Sequence, residues 1–313
     1  LNNIKINNEK KLKLIFIVGL VLSLFIFGAG CAGNGQEIEE GADENIIGNA
    51  EVSELDQPVK IGYVLWDTEI ASTNVIQQVL KEAGYKNVEI IAVGAGPLYQ
   101  GLADGEFDFT TSAWLPKTQK EYWDTYGDQV NSVHTTLEDC PIGFVVPSYV
   151  EIDSIEELNA NKDKFNGKIV GIDPGSGTMS MAESVIEEYG LDMELVASSN
   201  AGMIASLKKA IDSGEPIVVT LWLPHWAFNR WDLKFLDDPK EIFCEADHVE
   251  TLSRKDLQKD MPKLYGILER FEWTHEDIQN VMIGIENGAT PEDAAAKWIE
   301  DNPDKVKEWI GEE

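Results

Sequence analysis

From Val59 onward the chain alternates apolar, β-branched runs with amphipathic helical runs, and it does so twice on the same spacing. Such alternation points to α/β layering, because each strand needs a helix to cover it. In the first pass VKIGYVLW (59–66) reads as a strand. Ser72 or Thr73 caps a helix whose Val75, Ile76, Val79, Leu80 and Ala83 share one face. VEIIAV is a second strand, GPLYQGLADG a short helix and FDFTTSAW a third strand, with a polar helix after Pro116. The second pass opens at Lys168, with KIVGI, MELVAS and PIVVTLW as strands and MSMAESVIEEYG and GMIASLKKAIDSG as helices. Lys60 to Lys168 and Trp114 to Trp222 are both 108 residues apart, so two β/α lobes of matching layout are expected although few residues are identical. CPIGFVVPSYV leaves the first lobe as a strand, Ser154-Ile155-Glu156-Glu157 is a capping box, HVETLSR is extended, and residues 255–313 are mostly helical. Two lobes joined by two crossing segments make a cleft with a hinge.

Ahead of this body, Lys5, Lys10, Lys11 and Lys13 precede an uncharged apolar run from Leu14 to Phe27 that ends in Gly28-Ala29-Gly30-Cys31. Residues 1–30 read as a signal peptide with a cysteine at its cleavage site, an uncleaved membrane helix being the alternative. The arrangement resembles a bacterial lipoprotein signal, which implies that Cys31 receives lipid and holds the protein on the extracellular face of the cell membrane. Ala29 and Gly30 fit that pattern; Gly28 stands where a bulkier residue is usual. Residues 31–57 are polar, acidic and poor in aromatics, as a flexible tether is. The formal charge is −31, and the leader's four lysines and one glutamate leave −34 on the rest. Nucleic acid is excluded as a partner, because a phosphate backbone would be repelled. Cys140 and Cys244 remain, in a compartment that permits disulfides: one bridge and two free buried thiols fit the spacing equally, and a zinc site does not.

In α/β sheets ligands bind beyond the carboxyl ends of the strands. Trp66, Trp114 and Trp222 lie at such ends, in Val-Leu-Trp, Ser-Ala-Trp and Thr-Leu-Trp. Pro116 and Pro224 suit the first turn of a following helix. Indoles gathered around a gap suit a cation with no N–H of its own, such as a quaternary ammonium. Three desolvated indoles at about 2 kcal/mol each supply roughly 6 of the roughly 8 kcal/mol that micromolar binding requires. In GIDPGSGTMS a strand runs through glycines into a helix, which turns the backbone N–H groups of Gly177 and Thr178 toward an anion. A phosphate loop would need Gly-Lys-Ser/Thr, which is absent, and a plain helix-capping turn is the other local reading. Tryptophan is also common core filling, and the remaining six, Trp123, Trp226, Trp231, Trp273, Trp298 and Trp309, read as packing. His225 reads as structural. No His-Glu-x-x-His, Gly-x-Ser-x-Gly or clustered Cys/His pattern points to an exported hydrolase, so no catalytic residue, metal or cofactor is expected.

The segments YVLWDTEIASTNVI, SAWLPKTQKEYWDTYGD, GFVVPSYV, GIDPGSGTMS, VVTLWLPHWAFNRWDLKFLDDPK and FEWTHEDIQNVM resemble, over roughly residues 58–310, the lipid-anchored glycine betaine/proline betaine-binding proteins of ABC importers in Gram-positive bacteria. The resemblance implies a two-lobed periplasmic-binding-protein-like (type II) α/β fold, with residues 58–141 and 249–313 as lobe 1 and 142–248 as lobe 2. It implies a cage of Trp66, Trp114 and Trp222 around a trimethylammonium group, and a carboxylate held by the amides of Gly177 and Thr178. Relatives commonly carry a His where Gln119 stands. A Gln amide still donates a hydrogen bond but carries no charge, so its contact with a carboxylate is weaker and independent of pH. The function implied is capture of a betaine for uptake and osmoprotection, with ABC permease and ATPase subunits as partners; carnitine, choline and dimethylsulfonio compounds are the alternative ligands. If the two crossing segments lie side by side, Cys140 and Cys244 occupy comparable points on them.

Overall fold

The computed structural model describes residues 53–243 and 246–312. The expected leader, the expected lipidation site Cys31, most of the expected tether and Cys244 lie outside the described residues. The chain first lays down Pro58–Tyr63 (β1), Asp67–Glu82 (α1), Asn87–Ala92 (β2), Ala95–Ala103 (α2), Phe109–Leu115 (β3), Lys120–Tyr126 (α3) and Val130–Cys140 (β4). It crosses at Pro141 into Ile142–Pro147 (β5), then runs through Leu158–Asn161 (α4), Lys168–Val170 (β6), Gly177–Tyr189 (α5), Glu194–Val196 (β7), Asn200–Ser213 (α6), Val219–Trp222 (β8), Ala227–Arg230 (α7) and Leu233–Phe235 (β9). It returns as Asp247–Arg254 (β10) and ends in Leu257–Asp260 (α8), Pro262–Leu268 (α9), His275–Glu286 (α10), Pro291–Asp301 (α11) and Pro303–Ile310 (α12).

Two five-stranded sheets result, in the orders β2-β1-β3-β10-β4 and β7-β6-β8-β5-β9. In each, three strands are parallel, and the strand that follows a crossing runs antiparallel beside them. β10 and β5 therefore hold the same place in their sheets, and the doubling read at an offset of 108 residues is a doubling of topology. The result is a two-lobed α/β fold. The central strand β3 is buried at every position, and so are Val75, Ile76, Val79 and Leu80 of α1, which packs between this sheet and α10 and α11. Each such side chain stabilises the fold by ~1.5–3 kcal/mol.

Local details differ from the sequence reading. β1 stops at Tyr63, and Trp66 is the extended residue just ahead of α1. That helix starts at Asp67 rather than at Ser72 or Thr73, because Asp67 and Glu69 suit the positive end of its dipole while Ser72 and Thr73 are buried within it. Leu115–Pro116 and Leu223–Pro224 are both cis, and the next helices begin at Lys120 and Ala227. Both prolines are thus turn residues and not helix starters. The long strand β4 has a mixed, half-exposed pattern that gives no clean alternation to read. The capping box of Ser154 and Glu157 forms as expected, on a short 3-10 turn.

Candidate functional site

Trp114 and Trp222 occupy matching places at the ends of β3 and β8, the central strands of the two sheets. Their buried indoles meet edge to face, with centroids 6.3 Å apart and planes at 76°. Trp114 Nε1 donates to Glu69 Oε1 at 2.6 Å, whereas the Trp222 Nε1 is buried with no partner among the described residues. Trp66 is not in ring contact with either of them among the described residues. Its Nε1 donates across to Asp173 Oδ2 at 3.3 Å, in the loop that leads to α5.

The turn after Trp114 is held from β10, since Asp247 accepts the N–H of Lys117 at 3.0 Å and of Thr118 at 2.8 Å. Gln119 follows, buried. Its Oε1 accepts from Tyr99 Oη at 2.8 Å and from the Trp114 N–H at 3.1 Å. These two donors fix which way the amide faces, and they leave Nε2 buried without an acceptor. A donor left in that state costs about 1–3 kcal/mol until an acceptor arrives.

Against this turn stands the start of α5. Ser176 caps it by accepting the Met179 N–H, and Gly177 and Thr178 are its first two residues, whose amides have no intrahelical acceptor. A Cβ added to Gly177 would lie 1.7 Å from the Thr118 carbonyl oxygen. Glycine is required here by close approach of one lobe to the other. Beside it, Tyr122 Oη of α3 donates to the Gly175 carbonyl at 2.5 Å.

The turn after Trp222 is tied differently. The Leu223 N–H donates to the Pro141 carbonyl in the first crossing segment, at 2.9 Å. His225 is fully buried, 5.1 Å from the Trp222 ring. Its Nδ1 accepts the Ala227 N–H at 3.1 Å, which leaves Nε2 as the protonated nitrogen, 3.3 Å from Asp67 Oδ2. That contact falls short of an aligned hydrogen bond and sets the neutral ring's polar edge against the carboxylate. Asp67 also accepts from Trp226 Nε1 at 2.5 Å and from Asn200 Nδ2 at 2.9 Å. Burial pushes the Asp67 carboxyl up, but His225, Trp226 and Asn200 together outweigh it and hold it below the ordinary carboxylate range. Trp226 and His225 thus reach the first lobe, a tie that reading Trp226 as packing did not foresee and that gives the structural His225 its place. Nothing local signals it, because Asp67 is 159 residues from Trp226.

Other tryptophans do pack: Trp273, Trp298 and Trp309 form a buried ring cluster with Phe271. Cys140, at the first crossing, is a buried free thiol whose ionisation burial pushes well up; Cys244 lies outside the described residues. Among the described residues no group of side chains suits a metal ion, and no helix is long and apolar enough to cross a membrane.

Residues 57–301 match the OpuAC family, described as the substrate-binding domain of ABC-type glycine betaine transport systems. The glycine betaine/carnitine transport binding protein GbuC of Listeria monocytogenes is 46% identical over 162 residues, 50% of this chain and 54% of that protein. The match therefore spans about half the length of that relative. Lactococcal OpuAC, solved in its closed-liganded conformation with glycine betaine, superposes with a TM-score of 0.78 at 41% identity over 82% of this chain and 100% of that one. The glycine betaine/L-proline-binding protein ProX of Borrelia burgdorferi gives 0.78 at 41% identity over 81% and 96%.

Proposed function

We propose that this chain, which belongs to the family of substrate-binding domains of ABC-type glycine betaine transport systems, captures glycine betaine or a close relative outside the cell and delivers it to a membrane permease driven by an ATPase subunit. Its family is one of transport domains and not of enzymes. The observation that carries the reading is the meeting of three unmatched groups between the lobes. These are the edge-to-face pair of Trp114 and Trp222, the amides at the start of α5 that have no intrahelical acceptor, and the buried Gln119 Nε2. A zwitterion with a methylated ammonium at one end and a carboxylate at the other complements all of them. In this reading Trp66, Trp114 and Trp222 hold the cation, and Gly177, Thr178 and Gln119 hold the carboxylate. Choline, without a carboxylate, leaves those donors unmatched.

Ligand contact with both lobes favours their closed arrangement by its differential affinity. The tight approach of Gly177 to Thr118 and the Asp67 clasp belong to that arrangement. Cys31 serves as the lipid anchor that keeps the chain near its permease. The test is calorimetric titration with glycine betaine, proline betaine, carnitine and choline. Glycine betaine should bind in the micromolar range or tighter, and Trp222→Ala should weaken it by about 1–2 kcal/mol, roughly five- to thirtyfold. Unchanged affinity in that variant would sink the cage.

A further inference from the structure

Glu69 is a buried carboxylate in the first turn of α1. Oε1 accepts from Trp114 Nε1 at 2.6 Å, and Oε2 accepts from Thr68 Oγ1 at 2.5 Å. The groups that act on it are burial, these two donors, its own backbone and the like charge of Asp67, and none of them is cationic. A buried carboxylate in that position lacks a positive counterpart. It lies at the N–H edge of the Trp114 indole, which meets Trp222 edge to face. A void of about 10 Å³ beside it, edged by Thr111, Thr136, Val249 and Trp273, has room for about one water and no cationic side chain.

We propose that Glu69 is a positioning residue for cation recognition: by accepting the Trp114 N–H it sets the plane of that ring, and its uncompensated charge makes the indole pair select a positive ligand over a neutral one of the same shape. The inference rests on the reading of the Trp114–Trp222 pair as the ligand site. A carboxylate drawing on the indole N–H polarises the ring toward its faces, which strengthens attraction for a cation. The bound ammonium in turn supplies the charge that Glu69 lacks.

A pH dependence follows. Burial raises the Glu69 carboxyl to about 7. A cation favours its ionised form, so affinity for a cationic ligand rises as pH rises through that value. The titratable groups facing it are Asp67 on its own helix, which stays ionised in this range, and the Cys140 thiol of β4, which burial keeps neutral. Its neighbours from β3, β10 and the segment ahead of α10, Thr111, Val249 and Trp273, do not titrate.

The experiment is calorimetric titration of the full chain and of Glu69→Gln at pH 6 and pH 8. The ligands are glycine betaine and tert-butylacetate, in which carbon replaces the ammonium nitrogen. The expected result is roughly tenfold weaker betaine binding by Glu69→Gln at pH 8, with the rise from pH 6 to 8 abolished and the carbon isostere unaffected. Unchanged betaine affinity overturns the proposal, and so does an equal loss for both ligands, which would mean a packing role alone. The unmutated protein decides the matter even if the variant folds poorly, because betaine affinity that fails to rise relative to the isostere also overturns it. No betaine binding by the unmutated protein overturns the ligand reading together with this one.

Discussion

Trp114-Leu115-Pro116 and Trp222-Leu223-Pro224 each end the central strand of a sheet, each contain a cis Leu–Pro bond, and each bring an indole against the other's. Beyond the proline they diverge. The first turn is braced by Asp247 at the start of β10 and by Tyr99 of α2, and among the described residues it leaves Gln119 Nε2 without an acceptor. The second leans on the crossing segment at Pro141 and reaches over to Asp67 through His225 and Trp226. One backbone device thus does two jobs according to the few residues after the proline. The first copy presents a polar donor between the lobes; the second fastens the lobes together.

The largest expected effect lies where α5 meets the first turn. Gly177→Ala puts a methyl group 1.7 Å from the Thr118 carbonyl oxygen, so the start of α5 and the turn after Trp114 must move apart. Glycine betaine affinity should fall about hundredfold, on the order of 3 kcal/mol, while the thermal midpoint of the ligand-free protein stays unchanged. Small-angle scattering should show that the variant does not contract with ligand. Full contraction would remove the first turn as the seat of closure.

Asp67→Asn probes the second turn and should come next. Replacing a carboxylate that accepts from Trp226 and Asn200 and faces His225 should cost about 1.5–3 kcal/mol of the ligand-saturated protein's stability. The sign with pH is definite. The Asp67 carboxyl is depressed on folding, so its contribution is present above the ordinary aspartate range and is lost as pH falls below it. The gap in thermal midpoint between the two proteins should hold from pH 5 to 8 and close below about pH 4. A gap independent of acid would mean that Asp67 fills space and does not clasp.

Gln119→His should give the smallest change, about 0.5–1.5 kcal/mol. A histidine there becomes cationic as pH falls through about 6.5. It should add a gain in betaine affinity toward low pH, opposite in direction to the rise expected from Glu69. Titrations across pH 5.5–8 separate the two slopes, and an unchanged profile would show that this position does not face the ligand's carboxylate.

Much of this was open to reading from one strand of text. Trp114 and Trp222 stand out because the same tripeptide ends two strands at one offset, and Gly177 stands out because a glycine run after a strand has few uses besides a tight turn into a helix. Trp66 reads as a third strand-end indole, but β1 stops short of it and its N–H turns to Asp173. The clasp was not found. Asp67, Asn200 and Trp226 are joined only when the lobes meet, and each looks locally like a helix-start acid, a helix-start amide and one more core aromatic.

The pattern of apolar residues by itself determined the doubled α/β layout, because period-2 and period-3.6 runs in alternation have one economical way to bury their faces. The repeated strand ends likewise determined where two of the indoles would stand. Tertiary structure alone decided what lies behind and beside them: a buried Glu69 on the Trp114 N–H, an orphan Gln119 donor, and Asp67 held ionised by residues more than a hundred positions away. Local sequence carries backbone preference and periodicity. The charge, desolvation and orphaned hydrogen bonds of a site arise only when distant segments exclude water from one another.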